Sequence, residues 1–297
     1  MTNHSTSTLL PGADDIDFET TICVDHADLQ KVLASHPGSS TFERALARIQ
    51  NGRDLLSTLS CYIYFNSIFG SGVANLAGEI GAQQGLFRDS EEPMGIAADR
   101  SVEVAARIFF AAVDEFGVGG GTAKGRSTHR TLAQATLKAT GSFLGYDVAA
   151  MNEIVEPNAR TLIAIDQVRD GYALNQAVDA EKIFRAIGFH MGSEVLADEE
   201  FNILDKFLRT QHAELVDHLE RTKVTINEVK VSAYHWIQIH TTVEADHFDA
   251  ALLGANLALR YYYGRPEARS GFKECILSGF EEFAATQADF MNGLMPS

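Results

Sequence analysis

The sequence predicts an all-α fold, a single helical bundle, on three observations. Only six prolines interrupt 297 residues, alternating strand patterns are scarce, and Ala, Leu, Glu, Gln and Arg dominate windows with apolar spacings of three and four. Residues 1–26, polar at the start and rich in Ser and Thr, read as a flexible tail ahead of one domain over 27–297. The first long helix is expected over 40–68. A capping box opens it, with Ser40 accepting from the backbone of Glu43 and the Glu43 carboxylate returning the bond. Further helices are expected over 71–87, 97–116, 127–144, 158–175, 179–222, 226–263 and 267–292, with Gly and Pro marking several junctions. The run GVGGG, Gly117 to Gly121, reads as a connector, because glycines cost about 1 kcal/mol each inside a helix. It follows no strand and lacks GxGxxG spacing, so it is not read as a phosphate cradle. No internal repeat or linker divides the sequence.

Composition narrows the function classes. A net charge of −16 and a pI near 5.0 would repel a nucleic-acid backbone or an anionic membrane surface, leaving small molecules as the expected ligands. Cys23, Cys61 and Cys275 are odd in number, widely spaced and without a CxxC pair, so neither a disulfide framework nor a thiolate zinc site is expected. The opening residues lack a basic start followed by an apolar run, and the expected compartment is the reducing cytoplasm.

The segment HTTVEADHF carries His240, Glu244 and His247. On one continuous helix these side chains fall within about a 60° arc, a single stripe of two imidazoles and a carboxylate. That donor set suits iron, manganese or zinc, and flanking apolar residues turn the stripe inward. A metal in a helical bundle draws its remaining ligands from neighbouring helices. Glu115 ends a helix whose inner face also carries Val104, Ile108 and Ala111, where a buried carboxylate needs a cation. His129 follows the glycine run, which is long enough to return it to Glu115. Glu194 shares a face with Ile187, His190, Asp198 and Phe201, and His190, one turn away, is an alternative ligand to His129.

In their order (DEFG, a gap, HRTL, a later Glu in a long helix, then His-x3-Glu-x2-His) these residues resemble the haem-oxygenase-like dimetal oxidases and oxygenases. The resemblance covers roughly residues 95–290, and its last motif is the most specific. It implies a haem-oxygenase-like bundle with Glu115, His129, Glu194, His240, Glu244 and His247 as ligands to two Fe(II) ions. Glu194 bridges them, Glu194 and Glu244 carry the catalytic role, and O2 is the co-substrate. The sequence departs from the family in two places: the gap between Glu115 and His129 is longer than in several members, and Glu244 stands where Asp is common. The overall length and the alanine-rich acidic segment ahead of the core are most similar to azetidine-forming members that serve antibiotic biosynthesis. This likeness implies L-isoleucine or L-valine as substrate, C–H cleavage to a desaturated product, and C–N closure to a four-membered ring. Ile108, Ile187 and Phe201 would form an apolar substrate shell, with Asp198 for the amine and Lys124 or Arg126 for the carboxylate. An external electron donor and a homodimer are compatible with this reading. The alternatives are N-oxygenation, oxidative C–C cleavage or nitrile formation at the same site, or a metal-free scaffold whose inner carboxylates pair with Lys or Arg.

Overall fold

Capping side chains fix where many of the helices begin. In the structure, a computed structural model that describes residues 22–117, 127–241 and 244–294, Asp25 caps α1 (His26–Leu33) in a reciprocal box with Asp28. The expected tail over residues 1–26 therefore ends sooner. Val24 is buried, and its backbone donates to and accepts from the Asn256 side chain at 2.8 and 3.1 Å. Residues 1–21 lie outside the described residues.

The helix expected over 40–68 is two helices, α2 (Gly38–Leu46) and α3 (Gly52–Asn66). The backbone turns between them, and Asn51 caps the second by accepting from the Asp54 backbone. The expected capping box does not form. α2 starts directly after Pro37, so Ser40 falls inside the first turn and donates back to the Pro37 carbonyl. α4 (Phe69–Gly81) and α5 (Ser101–Glu115) follow, then α6 (His129–Phe143) behind its Thr128 cap. The short α7 (Val148–Ile154), capped by Asp147, has no counterpart among the expected helices. α8 (Ala159–Gly171) leads to the longest helix, α9 (Ala180–Gln211), which ends at His212, where α10 (Ala213–Arg221) begins.

The helix expected over 226–263 is corrected most. β1 (Lys223–Ile226) and β2 (Val229–Ser232) form an antiparallel hairpin with Val224 opposite Val231. Asn227 and Glu228 turn it with φ of 48° and 65°, both left-handed, as a two-residue turn matching strand twist requires. α11 (His235–His240) and α12 (Glu244–Tyr261) come next, and α13 (Ala268–Gly293) is the last helix.

The fold is an all-α bundle with one small hairpin. α9 is its axis, packed along α13 and α12 and touching α2, α4 and α11, while α5 lies between α4 and α12. One buried cluster runs from Val24 to Leu294. The α9–α13 crossing is close because glycines line it: a β-carbon on Gly188 would stand 1.8 Å from the Ile276 carbonyl, and one on Gly279 would stand 1.9 Å from that of Arg185. Tyr262 packs on Phe184 and Phe272. Among the described residues no helix is long and apolar enough to cross a membrane, and the three cysteines are free thiols.

Candidate metal centre

Five helices bring the acidic and imidazole side chains into the middle of the bundle. Glu115 ends α5 and His129 opens α6, and the two meet with His129 Nδ1 2.9 Å from Glu115 Oε1. His240, at the end of α11, completes a trio: one donor atom from each of Glu115, His129 and His240 lies within 4.8 Å of the others. The two rings stand 4.5 Å apart between centroids. His240 Nδ1 donates to the Trp236 carbonyl at 2.7 Å, which fixes the tautomer and leaves Nε2 as the nitrogen with a lone pair. Phe201 stacks on the His240 ring at 4.0 Å. Burial, reinforced by neighbouring His129, holds the His240 imidazole well below its usual pKa and so neutral, the state that binds a metal.

A second cluster forms around Glu194, on α9. Its Oε1 lies 3.2 Å from His190 Nδ1 and its Oε2 lies 3.4 Å from His247 Nδ1. His247 Nε2 faces Asp114 Oδ2 at 3.2 Å. Tyr172 OH reaches both His190 Nδ1, at 3.2 Å, and Ser193 Oγ, at 2.8 Å. Burial opposes ionisation of Glu194, but the two imidazoles outweigh it and hold the carboxyl well below the usual carboxylate range. His190 therefore joins Glu194 and does not take the place of His129 beside Glu115.

Glu115, Glu194 and His240 line one cavity of about 30 Å³, walled by Phe65, Phe69, Phe201 and Phe283. Asn66, Glu115 and His240 also line a larger cleft of about 340 Å³, so cavity and cleft meet at these three residues. Glu200, further along α9, closes the cavity as a buried carboxyl that accepts from Gln287 Nε2. Burial pushes its pKa up to about 7, against the Tyr62 hydroxyl and the Gln287 amide.

Several sequence expectations change here. His240 and His247 stand on different helices, since α11 ends at His240 and α12 starts at Glu244. They do not share the single stripe expected, yet both imidazoles are buried, at 5% and 3% exposure. The Glu244 side chain lies outside the described residues, as do Lys124 and Arg126. Of the expected substrate residues, Phe201 alone lines the cavity. Ile108 is sealed at the α5–α12 crossing against Gly254, Ile187 is fully buried on α9, and neither they nor Asp198 line the cavity or the cleft. Apolar periodicity marks a packed face and cannot tell packing from an open space. Sequence reasoning also passes over Asp114, Glu200 and Arg130. For Asp114 the signal is its place beside Glu115.

The donor set fits a transition metal. It is all nitrogen and oxygen, its imidazoles are buried, and a backbone carbonyl orients one of them. Among the described residues neither Glu115 nor Glu194 pairs with Lys or Arg; each faces imidazole.

No family profile matches the sequence, and no curated protein does either. Among solved structures it is similar to a CadD-like protein of unknown function from Nostoc punctiforme, at 16% identity over 90% of this protein and 94% of that one, with a TM-score of 0.53. At that identity the likeness speaks to the fold alone.

Proposed function

We propose that the protein is a haem-oxygenase-like, non-haem di-iron oxidase that uses O2 to oxidise an aliphatic amino acid, L-isoleucine or L-valine. Desaturation and C–N closure to an azetidine, in antibiotic biosynthesis, is the outcome the sequence resemblance favours. The observation that carries the metal reading is the meeting of two donor clusters at one cavity, lined by Glu115 and His240 from one and by Glu194 from the other, with His129 grouped with the first and His190 and His247 beside Glu194. On this reading Glu115, His129, Glu194, His240 and His247 would hold the two ions. Glu244 enters as a ligand on the resemblance. Iron bound there supplies O2 activation and the oxidising power to cleave an aliphatic C–H bond.

The protein's own residues do the rest. Phe65, Phe69, Phe201 and Phe283 give the cavity an apolar wall. The Trp236 carbonyl fixes the His240 ring, and Asp114 orients His247 through Nε2. Glu200, neutral over much of its range, can donate a hydrogen bond to whatever occupies the cavity. The enzyme works in the reducing cytoplasm on this reading, with its cysteines as thiols.

Anaerobic loading of the full-length protein with Fe(II), followed by metal analysis and exposure to O2 with a panel of amino acids, tests the reading. Two irons per molecule and O2-dependent loss of isoleucine or valine are expected. Glu194→Ala should lose turnover and bind about one iron fewer while keeping its helicity by circular dichroism. Fewer than one iron bound per intact molecule would favour the metal-free scaffold. Consumption without a cyclised product would move the outcome to N-oxygenation, C–C cleavage or nitrile formation.

A further inference from the structure

We infer that the cleft beside the Glu115, His129 and His240 trio binds a small apolar carboxylate, with Arg130 meeting the anionic end and Ile63, Leu137 and Trp236 enclosing the apolar body. The inference rests on reading the trio as the reaction centre.

At about 340 Å³ the cleft is the size of a small-ligand site. It lies where α3, α4, α6 and α11 come together. Arg130, Gln134 and Leu137 all line it, and their spacing of four and then three sets them on one face of α6. The polarity of the cleft is directional. Its inner end holds the buried His129 and His240 and the half-buried Glu115, while Arg130 is exposed at the outer end. Among the described residues Arg130 is the one Lys or Arg lining the cleft, and no carboxylate of those residues pairs with it. A guanidinium presents a planar fork of donors that matches a carboxylate with two parallel hydrogen bonds. A ligand anchored there by its carboxylate can lay its hydrocarbon along Ile63, Leu137 and Trp236 toward the trio. The reacting carbon is therefore part of the hydrocarbon body and stands away from the carboxylate, as breaking an aliphatic C–H bond remote from that group requires. A cationic amine without a carboxylate has no such anchor and would meet Arg130 as a like charge.

Trp236 is the only tryptophan in the sequence and walls the cleft, so its fluorescence reads occupancy in the metal-free full-length protein, where no metal can capture the carboxylate. L-isoleucine, 3-methylpentanoate and 2-methylbutylamine are the probes: the first carries both charged groups, the second lacks the amine, the third lacks the carboxylate. The two carboxylates should shift the emission saturably and the amine should not. Arg130→Gln should weaken both carboxylates by about tenfold or more, with Arg130→Lys recovering part of the loss because it keeps the charge without the fork. Ser71→Phe, at an exposed position lining the cleft, should abolish binding of both by filling the space. Tight binding of the amine, an unchanged affinity in Arg130→Gln, or no saturable response in the parent protein would each overturn the inference. Iron loading measured in parallel separates it from the metal reading. A protein that binds carboxylates and takes up no iron keeps the cleft and loses the metal. An Arg130→Gln variant that loads iron normally and binds carboxylates as the parent does loses the cleft and keeps the metal.

Discussion

Glu200 shows what a single buried carboxyl does to the stability of the whole protein. It is 6% exposed, accepts from Gln287, and Gln287 in turn meets His36 Nε2 through its amide oxygen. Burial raises its pKa from 4.5 to about 7, so the folded state favours the protonated form. Its contribution is fully present below about pH 4.5 and is lost as pH rises through 7, a change of about 3 kcal/mol at about 1.36 kcal/mol per pH unit. Glu200→Gln removes the titration and keeps the shape. Urea denaturation of the metal-free protein should therefore show the variant gaining on the parent by about 3 kcal/mol between pH 4.5 and pH 8. A difference that does not change with pH would mean that Glu200 is charged in the folded state. Glu194 runs the other way: its lowered pKa adds stability that is present above the ordinary carboxylate range and lost as pH falls. The contrast is partly hidden in the sequence. Both glutamates sit on α9; His190, one turn from Glu194, is legible in the sequence, but only tertiary structure brings His247 of α12 beside Glu194 and, among the described residues, leaves Glu200 without an imidazole.

The governing element is the crossing of α9 and α13. Gly188 and Gly279 let two backbones approach until each faces a carbonyl of the other helix, and a methyl group there has no space to enter. Gly279→Ala should destabilise the fold by at least about 2 kcal/mol in equilibrium urea unfolding, despite the higher helix propensity of alanine. Gly271→Ala, on the same helix with open space around its β-carbon position, should be neutral or stabilising and serves as the control. An equal response from both would show that propensity governs α13 and close packing does not. The same scale explains where element boundaries are legible. Asn51 ahead of Asp54, and Asp147 ahead of α7, are cap signals that a reading led by periodicity runs past. The hairpin is written as VTI and VKV around Asn227 and Glu228, too short to stand out against the helical spacing on both sides. Ser40 and Glu43 carry the residue types of a capping box, but the helix has already started after Pro37.

Over the whole molecule, the buried donors would tie folding to metal on the proposed reading. Carboxylates and imidazoles from α5, α6, α9, α11 and α12 stand together in the core, and a cation that binds the folded state alone stabilises it by mass action. Fe(II) at about a hundred times its dissociation constant should add about 2.7 kcal/mol, read as a rise in the melting temperature under anaerobic conditions and reversed by a chelator. His240→Ala should remove most of that rise. A melting temperature indifferent to iron would separate the folded core from metal binding.

The sequence by itself determined the class of this protein. Sparse prolines, helical spacing and helix-forming composition dictate an all-α bundle, and the residue types Glu115, His129, Glu194, His240 and His247 mark its polar centre, because composition and periodicity act locally along the backbone. Tertiary structure alone decided the rest. The break between α11 and α12 puts His240 and His247 on separate helices, Asp114 and His190 enter the site, Ile108 and Ile187 become packing, and the space for a ligand opens beside Arg130 and Trp236. Which apolar face is filled and which is left open depends on the neighbouring helix, and no helix carries its neighbour in its own sequence.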